Sequence, residues 1–117
     1  MVYGRKQGII GGIMNPKELK EYIDEKAPNA YETFFASAKE YQNEKNQKRQ
    51  PAKRWNERKV DRSVEKMWDG VISTIHNSLS LNIKGEDRKS YEAWVEFIEK
   101  SEFLVSFEEQ IAEIEFE

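Results

Sequence analysis

The spacing of apolar residues between Pro51 and Leu81 limits what this chain can fold into more than any other feature. Val60, Val64, Met67, Trp68, Val71, Ile72, Ile75 and Leu79 recur at steps of three and four. At about 100° per residue they share one broad sector, as a helix burying one face requires. Alternation at period two is absent, so a strand is excluded. Pro51 suits a first helical turn, where a backbone donor lacks an intrahelical acceptor anyway. The Ser/Asn-rich residues 77–82 and then Gly85 mark the other end. A helix of about 28 residues spans about 42 Å. That is long for a chain of 117 residues, so other helices must lie against it.

The elements before it follow from capping and periodicity. Asn15, Pro16 and Glu18 have the spacing of a capping box and open helix one. Leu19, Tyr22 and Ile23 form its buried stripe, and Pro28 stops it. Helix two is expected from Asn29, with Glu32 three residues on. Tyr31, Phe34, Phe35, Ala38 and Tyr41 make one aromatic-rich face for it. Residues 42–50 offer nothing to bury and read as a fraying end or a linker. Residues 1–14 hold Gly4, Gly8, Gly11 and Gly12 and read as a glycine-rich arm or short hairpin. They lack the spacing of a phosphate-binding loop.

Beyond the long helix, Asp87 is the expected cap of helix four, whose stripe is Tyr91, Trp94, Val95 and Ile98. Ser106 and Glu109 have capping-box spacing, which predicts a fifth helix from Phe107. A competing pattern alternates over 112–117 and would pair a terminal strand with residues 2–10. The fold class expected is therefore all-α: an irregular bundle of four to five helices around one central helix at about 51–81. Residues 15–117 form the single helical domain, and a small β element from the termini is the variant.

Composition narrows the function. Charged residues make up 35% of the chain, above the usual quarter, so the solvated surface is large for the core. The chain has no cysteine, which excludes a disulfide scaffold, thiol catalysis and cysteine-ligated zinc. The apolar run Gly8–Met14 follows Arg5 and Lys6, but at about seven residues it is at the lower limit for a signal peptide, and Asn15-Pro16 follows with no cleavage site. No stretch approaches the ~20 apolar residues of a membrane span. A cytoplasmic, unprocessed protein with no membrane partner is the expectation.

The net charge of −3 hides a polarity. Residues 45–66 carry nine Lys/Arg against three acids, net +6, and residues 86–117 carry eleven acids against three bases, net −8. In the basic segment Lys48, Arg49, Lys53, Arg54, Arg58 and Lys59 surround Trp55, which lies about 170° from the centre of the apolar face. Such a set could neutralise phosphates while the indole stacks on a base. The blander reading is a solvated face. From Arg54 to Asp69 the charges alternate in sign at helical spacing, as in a ladder of ion pairs within one helix. His76, the only histidine, falls on the polar flank and reads as an exposed side chain. In the acidic segment Glu108, Glu109, Glu113 and Glu117 line one edge and could imitate a phosphate backbone.

No nucleophile–base pair, metal-ligand set or cofactor loop stands out. The chain is expected to be a non-enzymatic protein-binding or regulatory module recognising a charged partner, with no cofactor and no metal. Two alternatives are kept. One is a nucleic-acid-binding protein using residues 45–66. The other is an inhibitor presenting residues 86–117 to a basic cleft. Self-association through the two oppositely charged segments is also open.

Overall fold

The computed structural model describes residues 13–83, 85 and 90–116. They form an all-helical bundle of five helices: α1 (Pro16–Lys26), α2 (Pro28–Gln47), α3 (Glu57–Asn82), α4 (Tyr91–Lys100) and α5 (Phe103–Ala112). No strand occurs among the described residues. The terminal β element kept as a variant is absent from 112–116, where Ile114 and Phe116 pack on the core. Its partner, residues 2–10, lies outside the described residues, as does the glycine-rich arm up to residue 12. No described helix is long and apolar enough to cross a membrane.

α1 opens as its sequence dictates. Asn15 Oδ1 accepts from the Glu18 N–H at 2.8 Å, and Glu18 Oε1 accepts from the Asn15 N–H at 2.9 Å. α2 starts one residue earlier than expected. Pro28 itself takes the first turn, the cap is Ala27, and Asn29 is not used as a cap. α2 also runs on through residues 42–47, because Gln42 is buried and its Nε2 donates to Met67 Sδ at 3.2 Å.

The central helix begins six residues later than expected. Pro51 opens a separate 3-10 turn, Pro51–Lys53, after which Arg54 is extended. The true start is Asn56, whose Oδ1 accepts from the Lys59 N–H at 2.9 Å. From there α3 runs unbroken for 26 residues, about 39 Å. Val60, Val64, Trp68, Ile72 and Leu79 are buried, and Met67, Val71 and Ile75 are half-buried against the same core.

α4 is capped by Ser90, whose Oγ accepts from the Ala93 N–H at 3.2 Å; the expected cap, Asp87, lies outside the described residues. α5 starts at Phe103, four residues before the expected Phe107, so Ser106 sits inside the helix and is no cap. The entry is Glu102, held at φ 55 in the left-handed region. Phe103 and Phe107, four residues apart on α5, stack at 5.6 Å along one face. α2 packs on α3 and α5, α1 on α3 and α2, and α4 on α5. The joint is aromatic: Trp68 meets Phe34 at 5.2 Å, Tyr31 at 5.5 Å and Phe107 at 5.9 Å. Phe116 closes the far side, stacked on Tyr41 at 5.3 Å.

Trp68 therefore joins three helices. Trp68→Ala should lower unfolding free energy by about 3–5 kcal/mol, read from urea denaturation. A loss below about 1 kcal/mol, in the range of surface substitutions, would show that the indole is not central.

Candidate functional site

The basic segment forms the corner between α2 and α3. Asn46, in the last turn of α2, grips Trp55 by its backbone. Its Oδ1 accepts from the Trp55 N–H at 2.8 Å, and its Nδ2 donates to the Trp55 carbonyl at 2.9 Å. Arg49 Nη1 donates to the same Asn46 Oδ1 at 2.9 Å. Its guanidinium lies 4.0 Å from the centre of the Trp55 ring, and Lys59 Nζ lies 5.0 Å from it. Arg54 donates from Nε to the Arg49 carbonyl and from Nη2 to the Gln47 carbonyl, both at 3.2 Å. A cation there satisfies carbonyls at the end of α2 and complements its dipole. Arg49, Arg54, Trp55 and Lys59 are thus engaged in building the corner. Lys48, Lys53 and Arg58 are exposed, with no ion pair to another described residue.

The expected ladder along α3 does not form. Glu57 and Asp61 both reach Lys39 on α2, at 3.5 and 3.1 Å. Glu65 accepts from the Tyr31 hydroxyl, and Asp69 takes Lys20 of α1 at 2.8 Å. Among the described residues the ion pair at i,i+4 spacing is Glu96–Lys100 on α4, at 2.6 Å. The acids of α3 are turned toward α1 and α2. Arg58, Arg62 and Lys66 are exposed and have no ion-pair partner among the described residues. Arg58, Arg62 and Lys66 therefore form an exposed row of unpaired cations on the N-terminal half of α3, with the exposed acids Glu57 and Asp69 on the flank toward α1 and α2.

These pairings leave a mark on proton affinity. The Tyr31 hydroxyl is pushed well above its usual value, first by burial and then by the Glu65 carboxylate it bonds. Lys20 is raised chiefly by its bond to Asp69, and Lys39 chiefly by its bond to Asp61. Raised values mean that the folded state holds these protons longer than the unfolded chain does.

His76 departs from its expected place. It is half-buried, with Nε2 at 2.6 Å from the Met14 carbonyl oxygen, and its ring stacks on Trp94 at 4.8 Å. Met14 is 62 residues away in the chain, so no local pattern announces the contact. Of the acidic edge, Glu109 and Glu113 are exposed, Glu108 is half-buried, and Glu117 lies outside the described residues. No ion pair joins residues 45–66 to residues 90–116 among the described residues. No described group of His, Asp and Glu could hold a metal ion. A second feature has no forewarning in the sequence: an apolar groove between α3 and α5, lined by Val71, Thr74, Ile75, Phe107, Ile111 and Ile114 with Gly70 and Gln110. Comparison with protein-family models, with curated proteins and with solved structures finds no match.

Two outcomes follow for the corner and its supports. Asn46→Ala removes both bonds to the Trp55 backbone and should cost about 1–2 kcal/mol in urea denaturation, with faster amide exchange at Trp55. No loss would mean the grip is incidental. Stability should also fall as pH rises above about 10, where the unfolded tyrosine and lysines release protons that the folded chain retains. Tyr31→Phe should flatten that alkaline decline, and an unchanged slope would contradict the Tyr31–Glu65 assignment.

Proposed function

We propose that this chain is a non-enzymatic protein-binding module that recognises an acidic partner surface through the α2–α3 corner. The observation that supports this is the one-sided charge of α3. Its acids face Lys39, Tyr31 and Lys20 of α2 and α1, while Arg58 and Arg62 on α3, and Lys53 just before it, are exposed with no ion-pair partner among the described residues. Exposed cations on a rigid helix steer an acidic partner and fix its register at little desolvation cost. The corner is already tied together by Asn46, Arg49 and Arg54, so little order is lost on binding. Trp55 favours protein over single-stranded nucleic acid, because Arg49 and Lys59 lie over its ring and a stacked base would have to displace them.

Duplex nucleic acid is the second reading. Arg58 and Arg62 are four residues apart on one side of α3, about 6 Å along the axis, a row that suits successive phosphates. The two readings part in one experiment. The immobilised protein is offered host lysate with and without nuclease, beside a Lys53→Glu, Arg58→Glu, Arg62→Glu variant. The proposal expects capture that survives nuclease, weakens with salt and falls at least about tenfold in the variant. Capture abolished by nuclease would transfer the corner to nucleic acid. Capture untouched by the triple reversal would refute a role for the corner.

A further inference from the structure

We infer that the acidic partner meets the α2–α3 corner with a phosphorylated side chain, its monoester dianion set against Arg49 and Lys59. The inference rests on the reading of the corner proposed above and names the chemistry of the contact. Residues 45–56 hold five cations and no acid. Lys59 adds another cation from the first turn of α3, and Glu57 in the same turn is directed to Lys39 on α2. Lys20, Lys39 and Lys100 each meet a carboxylate. Arg49 and Lys59 instead share one indole. The Arg49 guanidinium carbon and Lys59 Nζ lie 4.0 and 5.0 Å from the centre of the Trp55 ring, hence no more than 9 Å from each other. Neither side chain has an ion pair to another described residue. Arg49 commits one N–H of its guanidinium to Asn46, and the rest of the fork has no described partner. Two like charges drawn to one ring repel each other.

The concentration of charge selects the class of anion. A carboxylate brings one negative charge. A nucleic-acid phosphodiester also brings one, and places the next further along its backbone. A phosphate monoester brings close to two at neutral pH, on three acceptor oxygens. One such group can therefore answer two neighbouring cations, taking the planar fork of an arginine in a bidentate pair and an ammonium beside it. The indole sets where both cations stand, because Asn46 holds the Trp55 backbone at its N–H and its carbonyl. Lys48 and Lys53, exposed at the same corner, draw a dianion in.

The test is an NMR titration of the full chain at low salt with capped glycine pentapeptides whose central residue is phosphoserine, glutamate or serine. The phosphoserine peptide should shift the Trp55 and Lys59 amides and bind at least about fivefold tighter than the glutamate peptide, with no binding by serine. Its affinity should fall several-fold from about pH 7.5 to about pH 5, as the phosphate loses its second charge, and the glutamate peptide should show no such fall. Lys59→Gln and Arg49→Gln should each weaken it at least about fivefold, and Lys66→Gln should leave it nearly unchanged. Lys59 is exposed, so its variant keeps the test open if Arg49→Gln disturbs the corner. Equal affinity for phosphoserine and glutamate would overturn the inference, as would phosphoserine binding unaffected by Lys59→Gln. Diethyl phosphate, with the single charge of a nucleic-acid linkage, binding as well as phosphoserine would overturn it in favour of nucleic acid. Lysate capture that survives nuclease and also phosphatase would overturn it too, while leaving the acidic-partner reading standing.

Discussion

The bundle depends on the burial of Trp68 between Tyr31, Phe34 and Phe107. An indole held by aromatics from α2 and α5 fixes the rotation of α3 about its own axis. Once that rotation is set, every other side chain on α3 has its direction assigned. The sequence repeats one small unit: Val60-Asp61-Arg62, then Val64-Glu65-Lys66, then Trp68-Asp69. The first member is buried. The second is about 100° further round, on the flank toward α1 and α2, and the third, about 200° round, faces water. Acids therefore meet Lys39, Tyr31 and Lys20, and cations meet solvent.

Magnitudes explain why packing decides and charge follows. Burying a large aromatic contributes several times what an exposed ion pair does. The pairs at Lys20 and Lys39 are partly open to water. They act less as supports than as a way of directing the acids toward α1 and α2, away from the row Arg58, Arg62 and Lys66. The corner follows the same order. Asn46 and Arg54 satisfy backbone groups where α2 ends, and the charges of Lys48, Lys53 and Arg58 are left over on the outside.

Much of this was legible in the residues. The three-and-four spacing of Val60, Val64 and Trp68 identified the central helix and its inner face, and Asn15 with Glu18 identified the start of α1. Pro51 misled, because a proline suits the first turn of a 3-10 turn as well as that of an α-helix. Asn56, four residues before the first buried valine, carried the better signal. Ser106 misled for a similar reason: Glu102 in a left-handed conformation starts α5 earlier, and nothing in a glutamate announces it. The ion-pair ladder failed because near neighbours in sequence are visible and neighbours across helices are not. Lys39 and Lys20 stand 22 and 49 residues from Asp61 and Asp69, and only the assembled bundle brings them close. The groove and the contact of His76 with Met14 were hidden by the same non-locality.

The central claim is that the acids of α3 answer to other helices and leave its own cations unbalanced. Paired double-mutant cycles on Asp61 test it most directly, read by urea denaturation at low salt. The first combines Asp61→Asn with Lys39→Met, and the second combines Asp61→Asn with Arg58→Met. The account predicts a measurable coupling in the first cycle that shrinks as salt is raised, and none beyond error in the second. Coupling between Asp61 and Arg58, with none to Lys39, would contradict it.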